Sequence, residues 1–521
     1  MRRPLPAPLA HSTSALETSV PNVLSIAGTD PSGGAGAQAD LKSIAAAGGY
    51  GMNAVTALVA QNTQGVSAVE VPPADFLRAQ LDAVSEDVRI DAVKIGMLGS
   101  ADIIDTVAAW LDSNPQQLVV LDPVMVATSG DRLLETEAED ALRRFLKYAT
   151  VITPNIPELA ILAEDSEPDT WDSACALAQV VAERYQVAVI VKSGHLPGDQ
   201  AGNAVVTTQG TTAVFRQKKI DTSNTHGTGC SLSAALATRL ATGASLEAAL
   251  EWTSTWLHGA ISTSHHLSVG QGHGPINHFW RLWEQSRVAD ATPVKLGDFE
   301  ATTRPPQISA AGPQTKRLWE LTGQIWDSIC ELPFIQQLAS GTLATADFTF
   351  YQDQDALYLS SYSRALATLS AKAPSSAEQV FWARGAAECI EVESSLHADW
   401  LGPDYISAGP SPITRAYTDF LTSSASVNDY AIGVAAVLPC YWLYAEIGEI
   451  LAQVNTPGHP YSAWLSMYGS PEFRQATEQA IAYAEQVLSQ APGQTLEAAQ
   501  KAYQQAALHE LRFFAQAQLR N

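Results

Sequence analysis

Positive charge is scarce in this 521-residue chain: 30 Lys and Arg stand against 54 Asp and Glu, a formal net charge of -24. So acidic a chain repels a polyphosphate backbone and lacks the basic patch on which a nucleic-acid binder depends. Cysteine is sparse too. Cys175, Cys230, Cys330, Cys389 and Cys440 are widely spaced with no Cys-x-x-Cys pair, which speaks against a disulfide framework and a zinc knuckle; reduced thiols in a cytoplasmic enzyme are the expectation. No long apolar run escapes polar interruption, so no membrane span is expected. Residues 1–21 read as a disordered tail, since Pro6, Pro8, His11 and Ser12 interrupt any signal-peptide stretch. Two nucleotide fingerprints are missing as well: no glycine loop ends in Gly-Lys-Ser/Thr, and no glycine spacing matches a dinucleotide site.

What is present divides in two. The length exceeds what one core sustains, and tyrosine usage changes abruptly: only Tyr50, Tyr148 and Tyr185 of the 15 precede residue 307. Residues 286–309 are rich in Thr, Pro and charge without periodicity, and Pro305-Pro306 disfavours a continuing helix. The expected division is therefore a domain over 22–285, a linker over 286–309 and a second domain over 310–521. Before the linker, β-branched runs at 23–27, 92–95, 118–121, 151–152 and 187–191 alternate with Ala/Leu-rich amphipathic segments, the pattern of an α/β domain whose mostly parallel sheet carries helices on both faces. After it, apolar residues at three- and four-residue spacing predict helices over 316–330, 346–370, 377–396, 429–454, 471–489 and 495–518, an all-α bundle.

In the first domain a strand runs into Gly28-Thr29-Asp30-Pro31-Ser32-Gly33-Gly34-Ala35-Gly36, a loop whose glycines admit close approach to a ligand but which alone is as readily a tight turn. Asn224-Thr225-His226-Gly227-Thr228-Gly229-Cys230 opens a helix predicted over 231–240. Unpaired N–H groups and the positive end of the helix dipole there make an anion site. A thiol at that helix start is expected to have a lowered pKa, fitting Cys230 to accept a proton from an attacking hydroxyl.

The segments AGTDPSGGAGAQADLKS, ALVAQNTQGV, VKIGMLGS, VVLDPVMVATSGD, ITPNIPELAIL, VIVKSGH and NTHGTGCSLSAALA resemble the hydroxymethylpyrimidine/phosphomethylpyrimidine kinase family of the ribokinase-like fold. The resemblance implies pyrimidine contacts at Gly28, Asp40, Val59, Gln61 and Met97, and a phosphoryl-transfer site at Gly227, Gly229 and Cys230. It implies a nucleotide and phosphate region at Asp122, Asn155, Glu158, Lys192, Thr225 and Thr228, with Asp122 and Glu158 as magnesium ligands. ATP and Mg2+ are the implied cofactors. Pyridoxal kinase activity is the alternative for this domain.

In the second domain, Cys440 and Tyr444 share one face of the helix around Pro439-Cys440-Tyr441-Trp442, Asp355 and Tyr358 share another, and Glu510 lies on an aromatic-rich helix. A thiol, two carboxylates and aromatic walls suit a flat, amine-bearing ring. These pieces resemble the thiaminase II (TenA) family, which implies Cys440 as nucleophile and Glu510 as acid/base. It implies ring contacts at Asp355, Tyr358, Tyr417, Tyr444 and Tyr468. Hydrolysis of aminomethylpyrimidine or thiamine to hydroxymethylpyrimidine follows from it, and homo-oligomeric assembly is implied for both families. The alternative here is a non-catalytic pyrimidine-binding or regulatory module.

Overall fold

The structure, a computed structural model, describes residues 20–125, 136–194, 196, 200–288, 295–296, 298–300, 302, 304–401 and 407–519. Most of the expected tail, linker positions 289–294, 297, 301 and 303, residues 126–131 of VVLDPVMVATSGD and His195 lie outside them. The chain forms two compact units, one ending at Trp283 and the other starting at Glu284.

The first unit runs β1 (Asn22–Ala27), α1 (Gly36–Ala46), β2 (Tyr50–Val55), β3 (Leu58–Asn62), β4 (Gly65–Glu70), α2 (Ala74–Ser85), β5 (Ala92–Ile95), α3 (Ala101–Ser113), β6 (Val119–Leu121), α4 (Thr136–Phe145), β7 (Val151–Ile152), α5 (Ile156–Ala163), α6 (Trp171–Tyr185), β8 (Ala188–Lys192), β9 (Gln200–Thr207), β10 (Gly210–Lys218), α7 (Thr228–Ala241) and α8 (Leu246–Ser262), with α9 (Trp280–Val288) closing it. Eight strands make one sheet in the order β10-β9-β8-β7-β6-β5-β1-β2. From β2 to β8 every pairing is parallel, and β9 and β10 add antiparallel. Successive residues of one strand serve opposite faces. Val119 and Leu121 join the core packed with α2–α6, whereas Val120 joins the core packed with α1, α7 and α8. Burial on both sides is why these strands read as continuous apolar runs. Strands β3 and β4 stand apart as a two-stranded antiparallel sheet with a register shift between Ala60 and Gln61.

The second unit is helical: α10 (Pro313–Thr322), α11 (Gln324–Glu331), α12 (Pro333–Ser340), α13 (Thr345–Lys372), α14 (Ser376–Leu401), α15 (Pro412–Val427), α16 (Tyr430–Ala452), α17 (Ser462–Tyr468), α18 (Pro471–Gln490) and α19 (Gly493–Ala515). The single helix expected over 316–330 is two, because Gly323 adopts φ +50 and ψ -141, a conformation only glycine tolerates, and turns the chain between them. One core joins all ten helices, and Trp326, Trp382, Trp442 and Trp464 are fully buried in it. Burial of each such side chain contributes roughly 1.5–3 kcal/mol or more. Among the described residues α16 is the one helix long and apolar enough to cross a membrane, and 89% of its apolar window is buried inside this unit.

Candidate functional site

In the first unit the ends of β1, β5, β6 and β8 meet the start of α7. Gly227 caps α7 at φ +79, and a Cβ there would lie 1.8 Å from the Gly34 carbonyl oxygen, so only glycine lets the α7 start and the 28–36 loop touch. Thr228 is the first helical residue, and its N–H bonds back to the Thr225 carbonyl at 3.3 Å. A Cβ on Gly229 would sit 3.5 Å from Asp122 Oδ2 and 3.6 Å from Lys192 Nζ. A helix N-terminus, a carboxylate and an ammonium thus converge on one point, and glycine keeps it clear. Asp122 Oδ1 accepts from Thr153 Oγ1 at 2.8 Å and from Lys192 Nζ at 3.3 Å, which leaves Oδ2 facing Gly229. Two residues on, Val124 has φ +32, a conformation costly for a β-branched residue and one that collects at functional sites.

Glu158 and Asn155 also hold the backbone around them. The Glu158 carboxylate accepts the N–H groups of Met125 (3.0 Å) and Asn155 (2.9 Å), while Asn155 Oδ1 accepts the Glu158 N–H. This is a capping box on α5, with both Glu158 oxygens committed to backbone. Burial pushes the Glu158 carboxyl up, an effect Lys192 offsets and Asp122 reinforces, so the three side chains form one electrostatic cluster.

The lowered Cys230 pKa expected from the helix dipole is not what the structure gives. Desolvation pushes the thiol up to about 11; Lys94 and the Gly36 N–H work against this, Asp40 and Asp122 add to it. Packing around the sulfur outweighs a dipole worth at most a kcal/mol or two. Asp40 departs from expectation too. Its carboxylate is fully buried and accepts both contacts of Lys94 Nζ, at 2.7 and 2.8 Å, and the Ser25 hydroxyl at 2.7 Å. Asp40 therefore anchors the floor of the site instead of reaching into it. The other residues expected to contact the ring lie near one another. A Cβ on Gly28 would be 3.5 Å from Met97 Sδ, the Val59 N–H donates to Thr29 Oγ1, and the Gln61 amide lies 3.0 Å from His226 Nε2. Lys94, Asp30 and His226 join this cluster although motif reasoning passes over them. Lys94 had a signal, the one charge in a strand otherwise apolar on both faces.

In the second unit α13, α15, α16, α17 and α19 bring every expected residue together. Tyr417 donates to Glu510 Oε1 at 2.5 Å, and the buried Oε2 makes no hydrogen bond among the described residues. Burial lifts Glu510 to about 8, Tyr417 opposing and Asp355 assisting. Cys440 is raised well above its ordinary value by burial and then by Glu510, with the Tyr358 and Tyr362 hydroxyls partly offsetting. Around them the Tyr358 ring lies 5.0 Å from Tyr417 and 5.3 Å from Phe513, and Tyr444 lies 4.8 Å from Tyr468. Asp355 acts electrostatically on Glu510, Tyr351, Tyr444 and Tyr468. Tyr351, whose hydroxyl is 3.0 Å from that of Tyr444, and Tyr362 complete the wall. Both were open to a spacing argument, each lying four residues from Asp355 or Tyr358 on α13.

The family model of phosphomethylpyrimidine kinase matches residues 30–277, and that of the TENA/THI-4/PQQC family matches residues 319–521. A thiamine biosynthesis multifunctional protein of Corynebacterium glutamicum is 51% identical over 514 residues, 96% of this chain and 67% of that protein. The hydroxymethylpyrimidine/phosphomethylpyrimidine kinase of Salmonella typhimurium is 45% identical over 263 residues, 50% of this chain and 98% of its own. A solved pyridoxal kinase from Staphylococcus aureus in complex with AMP-PCP and pyridoxal is 30% identical, with a TM-score of 0.46, over 50% of this chain and 94% of that one.

Proposed function

From a chain that belongs to the thiamine biosynthesis proteins, with a phosphomethylpyrimidine kinase region followed by a TENA/THI-4/PQQC region, we propose two linked activities on one pyrimidine. The first unit transfers the ATP γ-phosphoryl group to hydroxymethylpyrimidine and then to its monophosphate. The second hydrolyses aminomethylpyrimidine, or thiamine, to hydroxymethylpyrimidine.

The meeting of Gly229, Asp122 and Lys192 at the start of α7 carries the kinase reading. The N–H groups of the first turn and the Lys192 ammonium stabilise charge on the moving phosphoryl group, and Gly28, Val59, Gln61 and Met97 hold the ring so that its hydroxyl faces that group. Asp122 Oδ2 is a hard oxygen donor and fits Mg2+, which takes one or two carboxylates and completes its shell with phosphates and water. A magnesium ion there would neutralise phosphate charge; Glu158, which accepts one backbone N–H on each oxygen and keeps lone pairs on both, holds the loop beside it. With a pKa pushed up to about 11 the Cys230 thiol is mostly protonated at neutral pH; it takes the hydroxyl proton only from its minor thiolate form and returns that proton to solvent between turnovers, in a transfer that asks more for positioning than for a base.

The Glu510 carboxyl, raised to about 8, beside the partly buried Cys440 thiol supports the hydrolase reading. From its ionised form Glu510 takes the Cys440 proton as the sulfur adds to the ring and gives it to the departing group on the methylene; water replaces that group with Glu510 taking a proton, and expulsion of the Cys440 sulfur, which recovers that proton, restores the ring. Asp355 and the tyrosines orient the ring. Two substitutions test the assignment in one chain. Cys440→Ser should abolish ammonia release from aminomethylpyrimidine yet leave phosphorylation of hydroxymethylpyrimidine intact. Cys230→Ala should lower the kinase kcat by roughly two orders of magnitude and spare the hydrolysis. A serine variant that still hydrolyses, or an alanine variant of undiminished kinase turnover, contradicts the corresponding half.

A further inference from the structure

Three segments distant in sequence meet at the ring of His226. Its Nε2 lies 2.9 Å from Asp30 Oδ2 and 3.0 Å from the Gln61 side-chain amide. The ring packs closely on Gly34, where a Cβ would strike its Cδ2 at 2.5 Å, and the backbone N–H of His226 is bonded to the Gly274 carbonyl at 3.1 Å. Asp30 is a fixed, ionised acceptor. Its oxygens take the N–H groups of Ser32, Gly34 and Ala35 at 2.8 to 3.1 Å and the Ser32 hydroxyl at 2.7 Å. These hydrogen bonds and that of His226 outweigh its desolvation and hold it at about 2.

Opposite such a carboxylate, Nε2 must carry its proton and act as a donor, whichever charge the ring has. A protonated Nε2 cannot also accept from an amide N–H. The Gln61 end that faces it sits as nitrogen, and a half-turn of that amide, whose two ends are nearly alike in shape, puts the carbonyl oxygen there instead, where it shares the one Nε2–H with Asp30 Oδ2. With its oxygen bound to His226, Gln61 turns its NH2 away from the histidine.

We propose that Asp30 and His226 are positioning residues that fix the Gln61 amide with its N–H toward the substrate, so that the site selects a ring bearing a lone-pair nitrogen at that point. The inference rests on the reading of Gln61 as a ring contact and adds the reason for its polarity. The preference is one of specificity. A site whose donor is held in place rejects an analogue with C–H in place of that nitrogen, because the donor is then left unpaired.

The test compares hydroxymethylpyrimidine with its two deaza analogues, each having one ring nitrogen replaced by C–H, in kinase assays of the full chain. The parent should show at least a tenfold loss in kcat/KM for one analogue. In His226→Ala that discrimination should shrink to within about threefold, through a raised KM for the pyrimidine and with KM for ATP unchanged. His226→Gln, which returns an N–H donor at similar reach, should restore it. Asp30→Asn, which releases the histidine tautomer, should weaken it even if the alanine variant folds poorly. Gln61→Leu serves as the control. If it leaves the discrimination intact, Gln61 does not read the ring and the proposal falls with that reading. If it removes the discrimination while His226→Ala and Asp30→Asn retain it, Gln61 stands as a ring contact and the positioning role is overturned.

Discussion

Glu510 is kept protonated by the fold well above the ordinary carboxyl range, and that has a consequence beyond catalysis. Its pKa rises from 4.5 to about 8 on folding, chiefly through burial. Across that window the folded chain holds a proton that the unfolded chain has released. The associated stability is therefore full below about pH 4.5 and is lost as pH rises through about 8, at up to about 1.4 kcal/mol per pH unit. Glu510→Gln keeps the shape and cannot ionise. In urea melts its stability relative to the parent should improve steadily from about pH 5 to 8, while ammonia release is lost. Parallel curves for the two proteins would mean that Glu510 is not buried as a neutral acid. Motifs and resemblance named the candidate residues, and the structure brings Glu510 within electrostatic reach of Cys440 and Asp355, and Gln61 beside His226. Charge states were not legible. The Cys230 thiol depends on packing from Lys94, Asp40 and Asp122, residues separated from it by about a hundred positions or more, which no local pattern encodes.

At the scale of elements, the start of α7 depends on a backbone approach. Gly227 is left-handed and abuts the Gly34 carbonyl, so Gly227→Ala adds both strain and a clash that must push the 28–36 loop away. Kinase kcat should fall by roughly a hundredfold, the scale of an ångström-sized misplacement, with ammonia release unaffected. A variant of normal kinase turnover would show that the two segments need not touch. Elements buried on both faces were readable: β6 and β7 are wholly apolar, and β1, β5 and β8 are nearly so. Strand β4 exposes all six residues and β10 alternates half-exposed with exposed ones, so neither announces itself by hydrophobicity. The helix expected over 231–240 starts at Thr228 because the first turn spends helix-poor Thr and Gly on an open N-terminus. Helices α12 and α17, eight and seven residues long, are too short for a periodic signal.

For the whole molecule, the division into two chemistries was written in composition. Tyr351, Tyr358, Tyr362, Tyr417, Tyr444 and Tyr468, which line the candidate site of the helical unit, account for half of the tyrosines after residue 306, while the candidate site of the sheet-based unit is built on glycine and backbone. The central claim is that the product of the helical unit is the substrate of the sheet unit. The direct measurement is a mass-resolved time course of the full chain given aminomethylpyrimidine alone, then with ATP and Mg2+. Without ATP, ammonia and hydroxymethylpyrimidine should accumulate one for one; with ATP, the hydroxymethyl compound should pass to its monophosphate and then its diphosphate. Phosphorylation of the amine itself, or ATP-dependent release of ammonia, would contradict the order and the division of labour between Cys440 and the α7 site.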